Sequence, residues 1–213
     1  MAKKKIATPQ TILADLAACK AAFDEVGIPW SIMGGVVLGY ARYNEIMAWD
    51  IDLDVGVFVE ITDKQWQHLY TSLRKKRFKI PNYRMDYVHC NRKSSFEVWF
   101  WHKNGDWYEA FPTTTPGFKF VEKAKWFDKP QMVQFLGDEY PMPNHIEDFL
   151  DGHYGKDWKT NVMKDPTQYV REKRGDPKNV SSWILNRKRK SDGNLWWPAF
   201  LKIDENIGDF NEI

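Results

Sequence analysis

The reading turns on two neighbouring stretches: Pro29-Trp30-Ser31-Ile32-Met33-Gly34-Gly35, and Trp49-Asp50-Ile51-Asp52-Leu53-Asp54-Val55-Gly56-Val57. In the second, Ile51, Leu53, Val55 and Val57 alternate with Asp52, Asp54 and Gly56, the period-two pattern of a strand with one apolar and one acidic face. In the first, Pro29 to Met33 reads as a short strand, the diglycine as a break, and Val36 to Tyr43 as a helix. Aspartates at i and i+2 on a strand share a face with their origins roughly 6.5 to 7 Å apart, and Asp50 adds a third carboxylate on that side. Such crowding disfavours the ionised state unless a cation or water intervenes. Hard oxygen donors of this kind suit Mg²⁺ or Mn²⁺, and a two-ion site holds its metals about 3.5 to 4 Å apart. Such a site wants another carboxylate from a neighbouring strand. Glu97 is the candidate, because Ser95-Phe96-Glu97-Val98-Trp99-Phe100 is strand-like and places Phe96, Val98 and Phe100 on the opposite face.

Gly34 and Gly35 supply the other half. Glycines between a strand and a helix let backbone N–H groups approach a phosphate, and the helix N-terminus adds a favourable field. Arg42, two turns into that helix, is a fork-shaped donor of phosphate reach. Each feature alone has a plainer reading: acidic alternating strands are commonly solvated edges, and Gly-Gly pairs are common. Their joint occurrence in this order is much more specific.

Working outward, Thr8-Pro9 starts a helix in which Ile12, Leu16, Cys19, Phe23 and Val26 form an apolar stripe ending at Gly27. Thr62-Asp63 caps a second amphipathic helix through Trp66, Leu69, Tyr70 and Leu73 to the basic end Arg74-Lys75-Lys76-Arg77, where cations suit the helix dipole. Tyr83 to Cys90, Ser95 to His102 and Trp107 to Phe111 read as a strand meander. Pro112-Thr113-Thr114-Thr115-Pro116-Gly117 then breaks the pattern, and a mixed segment leads to Tyr140-Pro141-Met142-Pro143. Asn144 with Glu147 predicts a capping box for a last helix striped by Ile146, Phe149, Leu150 and Tyr154. Residues 1–160 therefore read as one domain and 161–213 as an irregular extension, with its basic run Arg187-Lys188-Arg189-Lys190 and acidic C-terminus.

Composition agrees with a folded domain: 213 residues with 43% hydrophobic and 28% charged side chains are ample for a core. A formal charge of +2 gives no reason to expect a nucleic-acid binder. Two cysteines, Cys19 and Cys90, make neither a disulfide framework nor a paired zinc motif and are expected as reduced core thiols. No apolar run of spanning length and no secretory leader pattern is read, so the expectation is a cytoplasmic protein without an integral membrane segment.

The run from Gly35 to Gly56, with its Leu38-Gly39 helix carrying Arg42 and leading to Trp49-Asp50-Ile51-Asp52-Leu53-Asp54-Val55-Gly56, resembles the signature of the LicD family, to which fukutin-related proteins also belong. Pro141-Met142-Pro143 followed by a helix into Tyr154-Gly155 is similar to that family's C-terminal motif. The resemblance implies an α+β, nucleotidyltransferase (polymerase-beta-like) fold, a small mixed sheet flanked by helices. It further implies transfer of a phospho-alcohol, such as phosphocholine or ribitol phosphate, from a CDP-linked donor to a glycan or sugar hydroxyl. Asp52 and Asp54 then become the metal-binding pair, Glu97 the third ligand where the family usually has Asp, Asp50 a supporting carboxylate and Arg42 a phosphate contact. Ile51, Glu45 and Ala48 depart from the family pattern without touching the acidic pair. The rival readings are a nucleotidyltransferase that moves NMP from an NTP, and a binding module without turnover.

Elsewhere, Trp99, Trp101 and Trp107 around Glu97 invite a sugar-stacking role, Trp196-Trp197 less so, although core packing accounts for most aromatics. None of His68, His89, His102, His145 and His153 shows metal-ligand spacing, and His153 reads as a surface helix residue. Arg187 to Lys190 reads as a solvated face.

Overall fold

The computed structural model describes residues 8–48, 50, 52–83, 87–110 and 120–160. Trp49, Ile51, the Pro112 to Gly117 break, the Arg187 to Lys190 run, Trp196-Trp197 and the whole 161–213 extension lie outside the described residues.

α1 (Pro9–Val26) opens with proline in its first turn and a reciprocal capping box between Thr8 and Thr11, and ends where Gly27 turns left-handed at φ 70°. β1 (Ser31–Ile32) leads into α2 (Gly34–Tyr43), which starts at the diglycine, two residues before the Val36 expected from its apolar run. β2 (Asp52–Val57) follows, then α3 (Asp63–Lys75) with the Thr62–Gln65 capping box. β3 (Lys79–Tyr83), β4 (Tyr87–Asn91) and β5 (Ser95–Phe100) complete a five-stranded mixed sheet in the order β1-β2-β5-β4-β3. β2 runs parallel to β5, and the other pairs are antiparallel.

The core explains this arrangement. Leu53, Val55 and Val57 of β2, Phe96, Val98 and Phe100 of β5, and Val88 and Cys90 of β4 are all buried. The apolar face they form is covered by helices, with Trp66 of α3 meeting Phe100 edge-on at 5.6 Å between centroids and Phe78 packing on Phe96 at 5.1 Å. Cys19 and Cys90 are both buried and free, as expected of core thiols. Complete burial of one such apolar side chain stabilises by about 1.5 to 3 kcal/mol.

The structure corrects four sequence expectations. The Tyr83 to Cys90 run is two strands, since β3 begins at Lys79 and passes through Pro81. A proline argues against a strand, but β3 is the sheet edge and its register shifts between Lys79 and Asn82, the edge-or-bulge setting in which strands tolerate proline. The expected meander also divides. The Trp101 backbone N–H donates to the Val57 carbonyl at 2.9 Å, after which β6 (His102–Asn104), β7 (Trp107–Ala110) and β8 (Phe120–Lys123) form a separate sheet in that order, β7 pairing with both neighbours. Past the short α4 (Ala124–Phe127), the mixed segment is a hairpin of β9 (Gln131–Phe135) and β10 (Asp138–Met142). Its two-residue turn puts both Leu136 (φ 52°) and Gly137 (φ 92°) in the left-handed region, with leucine where asparagine or aspartate usually signals such a turn. Finally, the N-cap position of α5 (Ile146–Tyr154) is His145 rather than Asn144 and makes no side-chain cap bond, and Glu147 pairs with Lys159 at 2.8 Å instead of closing a capping box.

One polar residue inside the α1 stripe organises its neighbours. Asp15 is fully buried and accepts from Arg92 Nη1 (2.8 Å), the N–H groups of Lys93 (2.9 Å) and Ser94 (2.7 Å), and Ser94 Oγ (2.8 Å). Arg92 also donates to the Ala14 and Lys76 carbonyls, both at 3.0 Å. The turn between β4 and β5 is thereby fastened to α1 and the end of α3. Asp15→Ala strands two backbone donors and a guanidinium, so urea denaturation should show a loss of about 3 kcal/mol.

Candidate active site

The sheet face opposite the core carries the polar side chains. Burying Leu53, Val55 and Val57 forces Asp52 and Asp54 to the other side of β2, and burying Phe96, Val98 and Phe100 does the same for Glu97 and Trp99 on β5. The parallel register sets Asp54 opposite Glu97 and Asp52 opposite Ser95. β4 completes the row, with His89 opposite Glu97 and its Nδ1 3.5 Å from Glu97 Oε1.

Charge is concentrated here. Burial lifts the Asp54 carboxyl well above the usual carboxylate range, and the charges of Asp52, Glu97 and Asp50 lift it further, while a hydrogen bond from the Trp99 indole pulls the other way. Burial also raises Asp52, partly offset by its own backbone and by His89. Glu97 is raised by burial and eased by His89 and Trp99. Such a surplus of negative charge on hard oxygen donors has the chemistry of a divalent-cation site. Among the described residues, no group of three or more His, Cys, Asp or Glu side chains converges closely enough to hold a metal ion as they stand.

α2 meets this face at its N-terminus. A Cβ on Gly34 would lie 3.1 Å from Asp54 Oδ2, and one on Gly35 would lie 2.7 Å from Asp50 Oδ2. Gly34 also has φ 62°, a left-handed value that strains residues with a Cβ. The room left by the two glycines is thus taken by the protein's own carboxylates, set against the positive end of a helix that has no side-chain cap at Met33. Asp50 is buried beside Gly35. Arg42 sits at the other end of α2, where its Nε donates to the Trp158 carbonyl and ties the helix to the segment after α5. That end is about 12 Å of helix rise from Gly34.

The aromatic and histidine expectations divide. Trp99 is half-buried with its indole at the carboxylates, whereas Trp101 is buried and stacks on Phe58 at 5.7 Å, a core residue. Trp107 lies on β7 in the second sheet. His153 is no surface residue: its side chain is 11% exposed and its Nδ1 lies 3.5 Å from Oε1 of the buried Glu122. Along the chain His89 has no ligand spacing. Its place beside Glu97 depends on strand register, which no linear spacing displays.

An acidic strand packed against a diglycine helix in a mixed α+β sheet is the plan of a nucleotidyltransferase domain. The chain belongs to the family described as LicD/FKTN/FKRP, nucleotidyltransferase domain, whose model matches residues 27–145, more than half of the sequence. It is accordingly a transferase. No curated protein matches the chain. Among solved structures it is similar to the crystal structure of ANT(2")-Ia in complex with adenylyl-2"-tobramycin, at 15% identity and a TM-score of 0.46, over 78% of this chain and 87% of that one. A solution structure of the antibiotic-resistance factor ANT(2'')-Ia gives 15% identity and a TM-score of 0.47, over 78% and 83% respectively. No helix among the described residues is long and apolar enough to cross a membrane.

The raised carboxyls have a consequence for stability. A carboxyl whose folded pKa exceeds its unfolded value binds more protons in the folded state between the two values, so stability falls as pH rises through that window. Asp52, Asp54 and Glu97 therefore burden the folded state above the ordinary carboxylate range. Asp54→Asn removes the most strongly raised of them and should raise the Tm in EDTA at neutral pH by a few degrees, about 1 kcal/mol. The gain should vanish near pH 4, which thermal melts across pH would establish.

Proposed function

We propose that the protein transfers a phospho-alcohol, phosphocholine or an alditol phosphate, from a CDP-linked donor to a sugar hydroxyl in a divalent-metal-dependent reaction. The observation that carries this reading is the row of Asp52, Asp54 and Glu97 on one sheet face beside the N-terminus of α2, within a chain of the LicD family. Asp52, Asp54 and Glu97 would hold Mg²⁺ or Mn²⁺, as two ions. When bound, these ions would supply charge neutralisation at the diphosphate and a lowered pKa at the acceptor hydroxyl.

The chain's own groups do the rest. Asp50, wedged against Gly35, keeps the first turn of α2 in register with β2, so that the helix N-terminus and the carboxylates act on one place. Gly34 and Gly35 admit Asp54 and Asp50 to the first turn of α2, and the donor's phosphates would meet its backbone N–H groups beside those carboxylates. Arg42 braces the far end of α2 through Trp158, and its guanidinium is the proposed contact for the donor's phosphates. The acceptor hydroxyl loses its proton to bulk water as its oxygen attacks the phosphorus bearing the alcohol, the bond from that phosphorus to the CMP oxygen breaks in line, and CMP leaves with the charge. Catalysis of this kind is positioning and electrostatics.

The test is product mass spectrometry after incubation with Mg²⁺ or Mn²⁺, CDP-alcohols, NTPs and pooled sugar acceptors. The expected outcome is CMP release from one CDP-alcohol, reduced about 10²- to 10³-fold or more in Asp52→Asn, with the circular dichroism spectrum unchanged. Pyrophosphate release from an NTP would replace the reading with nucleotidyl transfer, and undiminished turnover by Asp52→Asn would remove the carboxylate row from the chemistry.

A further inference from the structure

Three strands meet at Glu97. Asp54 faces it across the parallel pairing with β2, and His89 faces it across the antiparallel pairing with β4. Trp99, two residues further along β5, points to the same side of the sheet. The side chains of His89 and Glu97 are 29% and 27% exposed, so their contact is only partly screened by water. Trp99 is locked by its ring: Phe120 meets it edge-on at 5.4 Å between centroids, and Trp101 packs at 6.4 Å with its plane tilted by 40°. From that position the indole lowers the pKa of both the Glu97 and the Asp54 carboxyl, against the rise that burial causes. A carboxylate with its rotamer unrestrained would turn away from its like-charged neighbours. Here the imidazole of His89 stands 3.5 Å away on the adjacent strand and the indole of Trp99 on its own.

We propose that His89 and Trp99 are positioning residues that hold the Glu97 carboxylate from two sides and aim it at Asp54. In metal sites, the groups behind the ligands set ligand orientation, and their loss typically costs 10- to 100-fold in metal affinity. The consequence for metal binding rests on the proposed metal-dependent function. The grip on Glu97 does not.

The experiment separates the two, using the full chain. Trp99→Phe keeps a ring against Phe120 and deletes the N–H; His89→Ala deletes the imidazole, and His89→Asn restores a donor close to where Nδ1 stands. Mn²⁺ affinity by isothermal calorimetry should fall about tenfold in Trp99→Phe and in His89→Ala. It should recover in His89→Asn, with kcat for CMP release following affinity and the Tm holding within a few degrees. A purely structural role would move the Tm and leave affinity alone, and wild-type Mn²⁺ affinity in both deletion variants overturns the proposal. If the wild-type protein binds no Mn²⁺, the metal-dependent function fails, and the grip is decided by NMR. The Trp99 indole resonance, identified by its loss in Trp99→Phe, should be protected from solvent exchange and should shift in Glu97→Gln. Free exchange with no response to Glu97→Gln overturns the proposal in that case also.

Discussion

Like charges held together on one face of a sheet are the constraint on which the molecule depends. Asp52, Asp54 and Glu97 stand side by side because the alternate residues of the same strands are the core. A slip of one residue in β2 would carry Leu53, Val55 and Val57 into solvent along with the carboxylates into the core. The apolar face is therefore what enforces the unfavourable one. The energy of bringing the acids together is drawn from burial elsewhere, a common relation between a working site and its scaffold.

The helix α2 takes part in the same compromise. Its N-terminus has no capping side chain of its own, and the two glycines admit Asp54 and Asp50 to the space a Cβ would fill. The helix end gains negative partners and the carboxylates gain a positive field. Sequence reasoning assigned the diglycine to an incoming phosphate, on the general rule that glycine permits close backbone approach. The structure shows that the approach is made first by the protein's own acids, so any phosphate at this end of α2 meets a helix terminus already partly neutralised.

Much of this was legible in the chain. Strict alternation from Leu53 to Val57, Thr8-Pro9 and Thr62-Asp63, and the apolar stripes of α1 and α3 are local signals, and the elements follow them. The Glu97 strand was readable because Phe96, Val98 and Phe100 mark its buried side. What escaped was non-local or locally misleading. Pro81 hid an edge strand, Leu136 hid a tight hairpin turn, and Trp101 ends one sheet inside an unbroken strand-like run. His89 and Trp99 belong to the acidic site through register and ring packing, which a linear pattern does not encode. Asp15 sits among the apolar positions of α1 with no local signal of its role, and its four bonds to the Arg92–Ser94 turn show why an acid is tolerated there.

The clamp at Asp15 bears on where the folding unit begins and ends. The family match spans residues 27–145, whereas α1, which carries Asp15, ends at Val26, and the Trp158 carbonyl that receives Arg42 lies beyond the other limit. The shared signature and the cooperative body of the protein are thus different objects. A fragment cut to the matched residues would keep every carboxylate of the site and lose the buttress behind the β4–β5 turn, the one that sets Glu97 in its place. Evolutionary kinship marks out the chemistry of this chain, while mechanical integrity requires the flanks on either side.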